Sequence, residues 1–300
     1  MSSFTIMVDT SCDLPPEIMA EQGIEVLPIP FDLDGTAHDG GYWQNITDKE
    51  FYDALRKGGV AKTSQINLGT FSDTFTVYAK EGKDLLYLAL SSGLSGTYDN
   101  AKTALQMVKE TYPECGVCAV DSLSATNGMG LFALLAVKKR EEGLTAKETA
   151  AWLEEKRDNC LGFFTVDDLM YLYRGGRLSR LSAVAGSIFG VKPVLNLAPD
   201  GTLALKDKVR GRKAAMELMV TQFKRSLNPG AALDTVLIAH TDCREDADTL
   251  AEMVKAAAHI DRVLVMMMGP VIGAHLGPGA VTLIFEAGMT RQEYEDKFYK

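Results

Sequence analysis

Three stretches of this chain carry side chains suited to chemistry. The first, Gly269-Pro270-Val271-Ile272-Gly273-Ala274-His275-Leu276-Gly277-Pro278-Gly279, sets one histidine among glycines, prolines and aliphatics. Glycine allows close backbone approach and proline fixes sharp changes of direction. The segment reads as a tight turn in which His275 could orient a bound polar group, and a turn with a purely structural histidine fits the same composition. The second, Ser91-Ser92-Gly93-Leu94-Ser95-Gly96-Thr97, joins an apolar strand to an amphipathic helix. Its hydroxyls and backbone N–H groups would collect where open α/β sheets bind ligands, and a carboxylate or phosphate suits them. A serine helix cap is the competing reading. The third, Lys62-Thr63-Ser64-Gln65, precedes another helix, where capping by Thr63 or Ser64 is the simpler reading.

Other chemistries find less support. Gly93-Leu94-Ser95-Gly96-Thr97 misses the last glycine of a nucleophile elbow, and no triad order accompanies it. A hydrolase or phosphotransferase using Ser95 and His275 stands as the alternative from another class. Gly128-Met129-Gly130-Leu131-Phe132-Ala133 matches G-x-G-x-x-A but begins several residues past the strand end at Ser122, whereas a dinucleotide turn sits directly on it. There is no P-loop, and His38, His240, His259 and His275 show no metal-ligand spacing. No cofactor and no metal are expected. Cys115-Gly-Val-Cys118 leads into a strand and has no second pair, so structural thiols are the expectation.

The elements that position these residues follow from periodicity. In the first half, apolar strands near Phe4–Val8, Glu25–Ile29, Asp84–Leu90 and Val117–Val120 alternate with helices. Two of those helices open on capping boxes, Thr47-Asp-Lys-Glu50 and Thr145-Ala-Lys-Glu148. Asp13 could cap a helix whose first turn holds Pro15 and Pro16. This alternation predicts a mainly parallel sheet covered by helices. The second half has strand-like runs at Gly162–Val166 and Pro193–Leu197, a hairpin signal at Asp200-Gly201, and strands near Thr235–Ala239, Val263–Met268 and Ala280–Phe285. Helices are expected at Arg212–Arg225 and Asp246–Ala258, with a polar terminal helix in Thr290–Lys300. The expected architecture is two α/β domains, 1–160 and 161–300, the second with a mixed or antiparallel sheet.

Charge narrows the partners. A net charge of −9 argues against a generic nucleic-acid binder. The N-terminus lacks the basic start and long apolar core of an export signal, which makes the cytoplasm the expected compartment. Between Arg174 and Lys213, nine basic residues are opposed only by Asp200 and Asp207, a local field able to steer an anionic partner. Small apolar residues in Ser182–Val191 and the run Met266-Met267-Met268 are candidates for an adaptable apolar pocket.

Taken in order, Asp9-Thr-Ser-Cys-Asp-Leu14, Thr63-Ser64-Gln65, Leu90-Ser-Ser-Gly-Leu-Ser-Gly-Thr-Tyr98, Asp121-Ser122, Leu172-Tyr-Arg-Gly-Gly-Arg-Leu-Ser179, Val191-Lys-Pro193 and the histidine-glycine segment resemble the bacterial DegV family. Its best-understood members are the FakB fatty-acid-binding subunits of fatty acid kinase. The resemblance implies a long-chain fatty acid held between two α/β domains, with its carboxylate on Thr63, Ser95 and His275. Ser64, Ser92, Gly96 and Thr97 become candidate further ligand contacts. It further implies a separate ATP-dependent kinase subunit that phosphorylates the bound carboxylate. Arg174, Arg177, Arg210 and Arg212 become candidates for docking that kinase or an anionic membrane surface. On this reading the chain is a lipid-binding subunit rather than a complete enzyme; a lipid-responsive regulator is a further alternative. Ile66 stands where relatives commonly carry proline, and Thr290–Lys300 extends beyond the shared region.

Overall fold

The computed structural model describes residues 4–41, 46–177 and 190–300. Arg180 and most of the apolar stretch 182–191 lie outside them. The first half contains β1 (Thr5–Asp9), α1 (Pro16–Glu21), β2 (Ile24–Leu27), β3 (Phe31–Leu33), β4 (Thr36–His38), α2 (Asp48–Arg56), β5 (Ala61–Thr63), α3 (Leu68–Glu81), β6 (Leu85–Ala89), α4 (Thr97–Thr111), β7 (Val117–Asp121), α5 (Asn127–Glu141) and α6 (Ala146–Lys156). The second contains β8 (Cys160–Thr165), α7 (Met170–Arg174), β9 (Val191–Leu197), β10 (Leu203–Arg210), α8 (Arg212–Ser226), β11 (Ala232–His240), α9 (Arg244–Lys255), β12 (His259–Met267), α10 (Pro270–Leu276), β13 (Val281–Glu286) and α11 (Arg291–Phe298).

Strands β2-β1-β6-β7 form an all-parallel sheet. Such a sheet must be covered on both faces, and β6 is buried along its whole length. Leu86 and Leu88 face α5, while Leu85, Tyr87 and Ala89 face the aromatic and small side chains of α3 and α4. The second sheet runs β10-β9-β8-β13-β11-β12 and is antiparallel except between β11 and β12. Its alternation sorts side chains by face. Phe163, Ile238, Leu283 and Phe285 pack under α8, α9 and α11; Phe164, Leu237, Ala239 and Ile284 turn toward α5. Helix α5 therefore lies between the sheets, and one apolar core runs through both halves. Asn127 fixes its start, donating to Leu237 O (2.8 Å) and accepting from Thr282 Oγ1 (2.9 Å).

Three features differ from expectation. The antiparallel sheet β4-β3-β5 belongs to the first half in sequence, yet it packs with α2 against Ala274 and Met267 of the second. Its strands are three residues long, too short for a periodic signal. The histidine segment is a short helix, α10, rather than a turn: Pro270 takes the first helical position, where its missing N–H costs nothing, and Gly277 ends it at φ 68°. Asp13 does not cap α1, whose cap position is Pro15 with no side-chain hydrogen bond; its carboxylate accepts Gly269 N–H at 2.7 Å instead. The terminal helix α11 has one buried face. Arg291 there donates to Cys160 O (3.1 Å) and Leu123 O (2.6 Å), tying the two halves together.

Candidate functional site

Beside the start of α5, between the two sheets, lies a cavity of about 310 Å³. Its body is apolar. The inner face of the second sheet contributes Gly162, Phe164 and Ile284, and Leu172, Leu203 and Ile272 close around them. Gly162 matters by what it lacks, since a Cβ there would overlap Ile284 Cδ1 and force that side chain into the cavity. Thr126 and Thr282 add hydroxyl-bearing residues beside the start of α5, and Thr63, Ser64, Ser95, Arg177 and His275 form a polar group on another part of the wall.

Each comes from a different element. Thr63 is the last residue of β5, held by pairing with Phe31 of β3. His275 rides on α10, and its Nε2 lies 2.8 Å from Thr63 Oγ1. Gly175 packs against the imidazole so closely that a Cβ would overlap Nδ1. That nitrogen is buried and has no hydrogen-bond partner among the described residues. Burial, with the Arg177 guanidinium nearby, pushes the ring down to about 4, so it is neutral at neutral pH. A buried N–H without an acceptor is the costlier orphan. The hydrogen-bond network thus assigns the proton to Nε2, donating to Thr63 Oγ1. The Thr63 hydroxyl hydrogen is then left for a ligand.

Ser95 sits on the approach to α4. Its Oγ lies 2.9 Å from Thr97 Oγ1 and accepts the Thr97 N–H at 3.2 Å. Thr97 is fully buried and orients Ser95 without lining the cavity itself. Gly96 does line it. Ser92 points elsewhere: it is exposed, and its N–H donates to Asp121 Oδ1 at 3.2 Å. Ser95 and His275 thus have separate partners, and no serine–imidazole hydrogen bond is formed. The two hydroxyls can donate to a carboxylate, and the neutral imidazole orients Thr63 for it by donating to its Oγ1. Arg177 lines the same part of the wall and adds a positive charge near it.

Residues 3–288 match the family model described as an uncharacterised protein of the DegV family. The chain belongs to the DegV family. It is 36% identical over 286 residues to a DegV domain-containing protein of Clostridium perfringens, covering 95% of this chain and 98% of that one. Among solved structures, a DegV family protein of Thermus thermophilus described as binding fatty acid superposes with a TM-score of 0.83 at 28% identity, covering 95% of this chain and 99% of that one. A fatty acid binding DegV family protein of Streptococcus agalactiae gives 0.83 at 29% identity, covering 96% and 100%.

A second cavity borders the first and shares Thr63, Arg177 and His275 with it. It is a cleft of about 480 Å³ lined also by Lys62 and Arg174. Arg177 is partly buried and structural as well: it donates to Leu94 O (3.1 Å) and Gly175 O (2.6 Å), joining the Arg-Gly-Gly-Arg turn to the Ser95 loop. The basic stretch does not form one open face. Arg212 bridges Asp246 at 2.9 Å, Lys192 bridges Asp167 at 2.7 Å, and Lys206 is buried against Glu295. Arg174 and Arg210 remain exposed. Met266 and Met268 fill the core and do not line the cavity.

The roles of two contributors escape a reading of the sequence. Gln65 lays its amide over Gly96, where a Cβ would collide with it, and so joins the Thr63 and Ser95 loops. Asn100 of α4 donates to Ile66 O at 2.8 Å, fastening the same loop. Gln65 belongs to the Thr63-Ser64-Gln65 segment and Asn100 to no motif, and in both cases only the long-range contact reveals the role. Among the described residues, no helix is long and apolar enough to cross a membrane.

Proposed function

We propose that this chain binds one long-chain fatty acid, its tail in the apolar body of the cavity and its carboxylate on Thr63, Ser95 and His275. The observation that carries the reading is a mainly apolar cavity between the sheets whose wall brings together a neutral imidazole and the hydroxyls of Thr63 and Ser95. Burying a methylene is worth about 0.8 kcal/mol, so the tail supplies affinity and the polar group supplies orientation. The fatty-acid binding described for relatives of 28% and 29% identity over nearly the whole chain supports it. No cofactor enters the reading.

The carboxylate is then presented to a separate ATP-dependent kinase subunit in the cytoplasm, which converts it to an acyl-phosphate. Two features support this part: a second cleft shares Thr63 and His275 with the cavity, and Lys62, Arg174 and Arg177 in its lining would favour incoming phosphate charge. Exposed Arg210 is the remaining docking candidate, for the kinase or an anionic membrane surface. The hydrolase alternative lacks its nucleophile–base pair.

Denaturing extraction and mass spectrometry of protein purified without added lipid test the ligand class. About one long-chain fatty acid per chain is expected; an empty cavity that also refuses oleate and palmitate would overturn the reading. ATP-dependent phosphorylation of the bound lipid by a kinase subunit, and not by this chain alone, tests the second part.

A further inference from the structure

Helix α10 is only seven residues long. So short a helix has little stability of its own, and the position of His275 depends on what grips the helix. Its first peptide unit, Met268–Gly269, is held on both sides. Tyr52 Oη donates to Met268 O at 2.7 Å, and the Gly269 N–H donates to Asp13 Oδ1 at 2.7 Å. Tyr52 comes from α2 and Asp13 from the segment after β1, so both belong to the first half while α10 belongs to the second. Both are buried, at 0% and 2% exposure. The Tyr52 hydroxyl also lies against Gly273, one turn along, where a Cβ would stand 2.5 Å from it. Asp13 holds its place at φ 57°, a left-handed conformation unfavourable for a residue with a side chain. Neither residue touches the cavity wall.

We propose that Asp13 and Tyr52 are positioning residues for His275, clamping the peptide from which α10 starts and so fixing the imidazole against Thr63. His275 follows Gly273 by two residues, and the ring has under 3 Å between its Nε2 and the Thr63 hydroxyl. A small rotation of α10 would break that bond. Through the clamp, the carboxylate site senses how the first half sits on the second. Asp13 is faced by Asp9 of β1, its neighbour Cys12, Tyr52 of α2 and the Thr126 hydroxyl. Burial pushes its carboxyl up to about 7 against the pull of the Gly269 N–H.

The affinity arm of the test rests on the carboxylate reading; the spectroscopic arm does not. Tyr52→Phe, Asp13→Ala and Asp13→Asn would be compared with wild type in binding oleate and methyl oleate, and by imidazole ¹⁵N resonances of His275 in ligand-free protein. Tyr52→Phe should shrink the preference for the acid over the ester roughly fivefold, the loss of one hydrogen bond, and Asp13→Ala at least as much. Asp13→Asn, which keeps an acceptor for Gly269 N–H, should recover part of it. In both disruptive variants the His275 ring should titrate above its wild-type value of about 4. Equal weakening of acid and ester with unmoved His275 resonances would overturn the clamp as a merely structural contact, as would wild-type behaviour throughout. If Asp13→Ala does not fold, Tyr52→Phe, which removes a single oxygen, decides. A wild type that binds acid and ester equally would contradict the carboxylate reading, while the ring resonances would still judge the clamp.

Discussion

Two parts of the cavity are built in different ways. Its apolar body is one face of a six-stranded sheet, where alternate residues of β8 and β13 point inward because a strand has no choice in the matter. Its polar group is assembled from β5, the approach to α4, the turn after α7 and α10, elements spread over more than 200 residues. The body is thus set by local periodicity and the polar group by long-range hydrogen bonds. The difference teaches where each is vulnerable: volume changes should damage the body, and single lost oxygens should damage the polar group.

The largest effect is expected from volume. Gly162→Val should drive Ile284 into the cavity and abolish lipid recovery in denaturing extraction, at a stability cost of about 1–3 kcal/mol for overpacking. A folded Gly162→Val protein with its full lipid complement would show that the ligand lies elsewhere. Next come the hydroxyls. Ser95→Ala and Thr63→Ala should each weaken fatty-acid binding by about 1.5–3 kcal/mol, the range for hydrogen bonds to a charged group, while leaving thermal stability nearly unchanged. Titration calorimetry with oleate measures the first and calorimetric melting the second; unchanged affinity in both variants would place the carboxylate outside this cluster.

How much of this contrast can be read in the sequence follows from the same physics. The parallel sheet, the Asp200-Gly201 hairpin and both capping boxes before α2 and α6 were legible because their signals are local. Ser95 was legible as an anion-suited hydroxyl at a strand–helix junction; its partner Thr97 lies two residues away. Thr63 looked like a helix cap, but Asn67 caps α3 and Thr63 ends a three-residue strand. Its role depends on His275, 212 positions later, and only the family resemblance paired them. Asp13 likewise looked like a local cap, because nothing near it in sequence announces a bond to Gly269. Charge misled in another manner: a basic run in sequence became several ion pairs, since Asp167, Asp246 and Glu295 arrive from other segments.

A smaller effect concerns pH. The folded His275 ring titrates near 4, below its ordinary 6.5. Between those values the unfolded chain takes up a proton that the folded protein refuses, so acidification from about 6.5 toward 4 must destabilise the fold through this residue. Denaturant titrations across that window should show a shallower acid loss in His275→Gln than in wild type; identical slopes would mean the ring is not buried neutral. The smallest effect is at the surface. Arg210→Glu should leave fatty-acid binding unchanged and slow kinase-dependent phosphorylation, with the defect shrinking as salt rises because exposed charges are screened beyond about 10 Å at 0.1 M. Arg212→Glu should instead cost about 1 kcal/mol of stability by breaking its pair with Asp246.

The central claim, a carboxylate held by Thr63, Ser95 and His275, is met most directly by ¹³C NMR of carboxyl-labelled oleate bound to the protein. One bound carboxyl resonance is expected. It should remain ionised at pH values where free fatty acid protonates, because hydrogen-bond donors favour the charged form. It should shift in Thr63→Ala, Ser95→Ala and His275→Gln, and stay fixed in Arg210→Glu. A carboxyl resonance that titrates like free acid, or that ignores all three site variants, would contradict the claim.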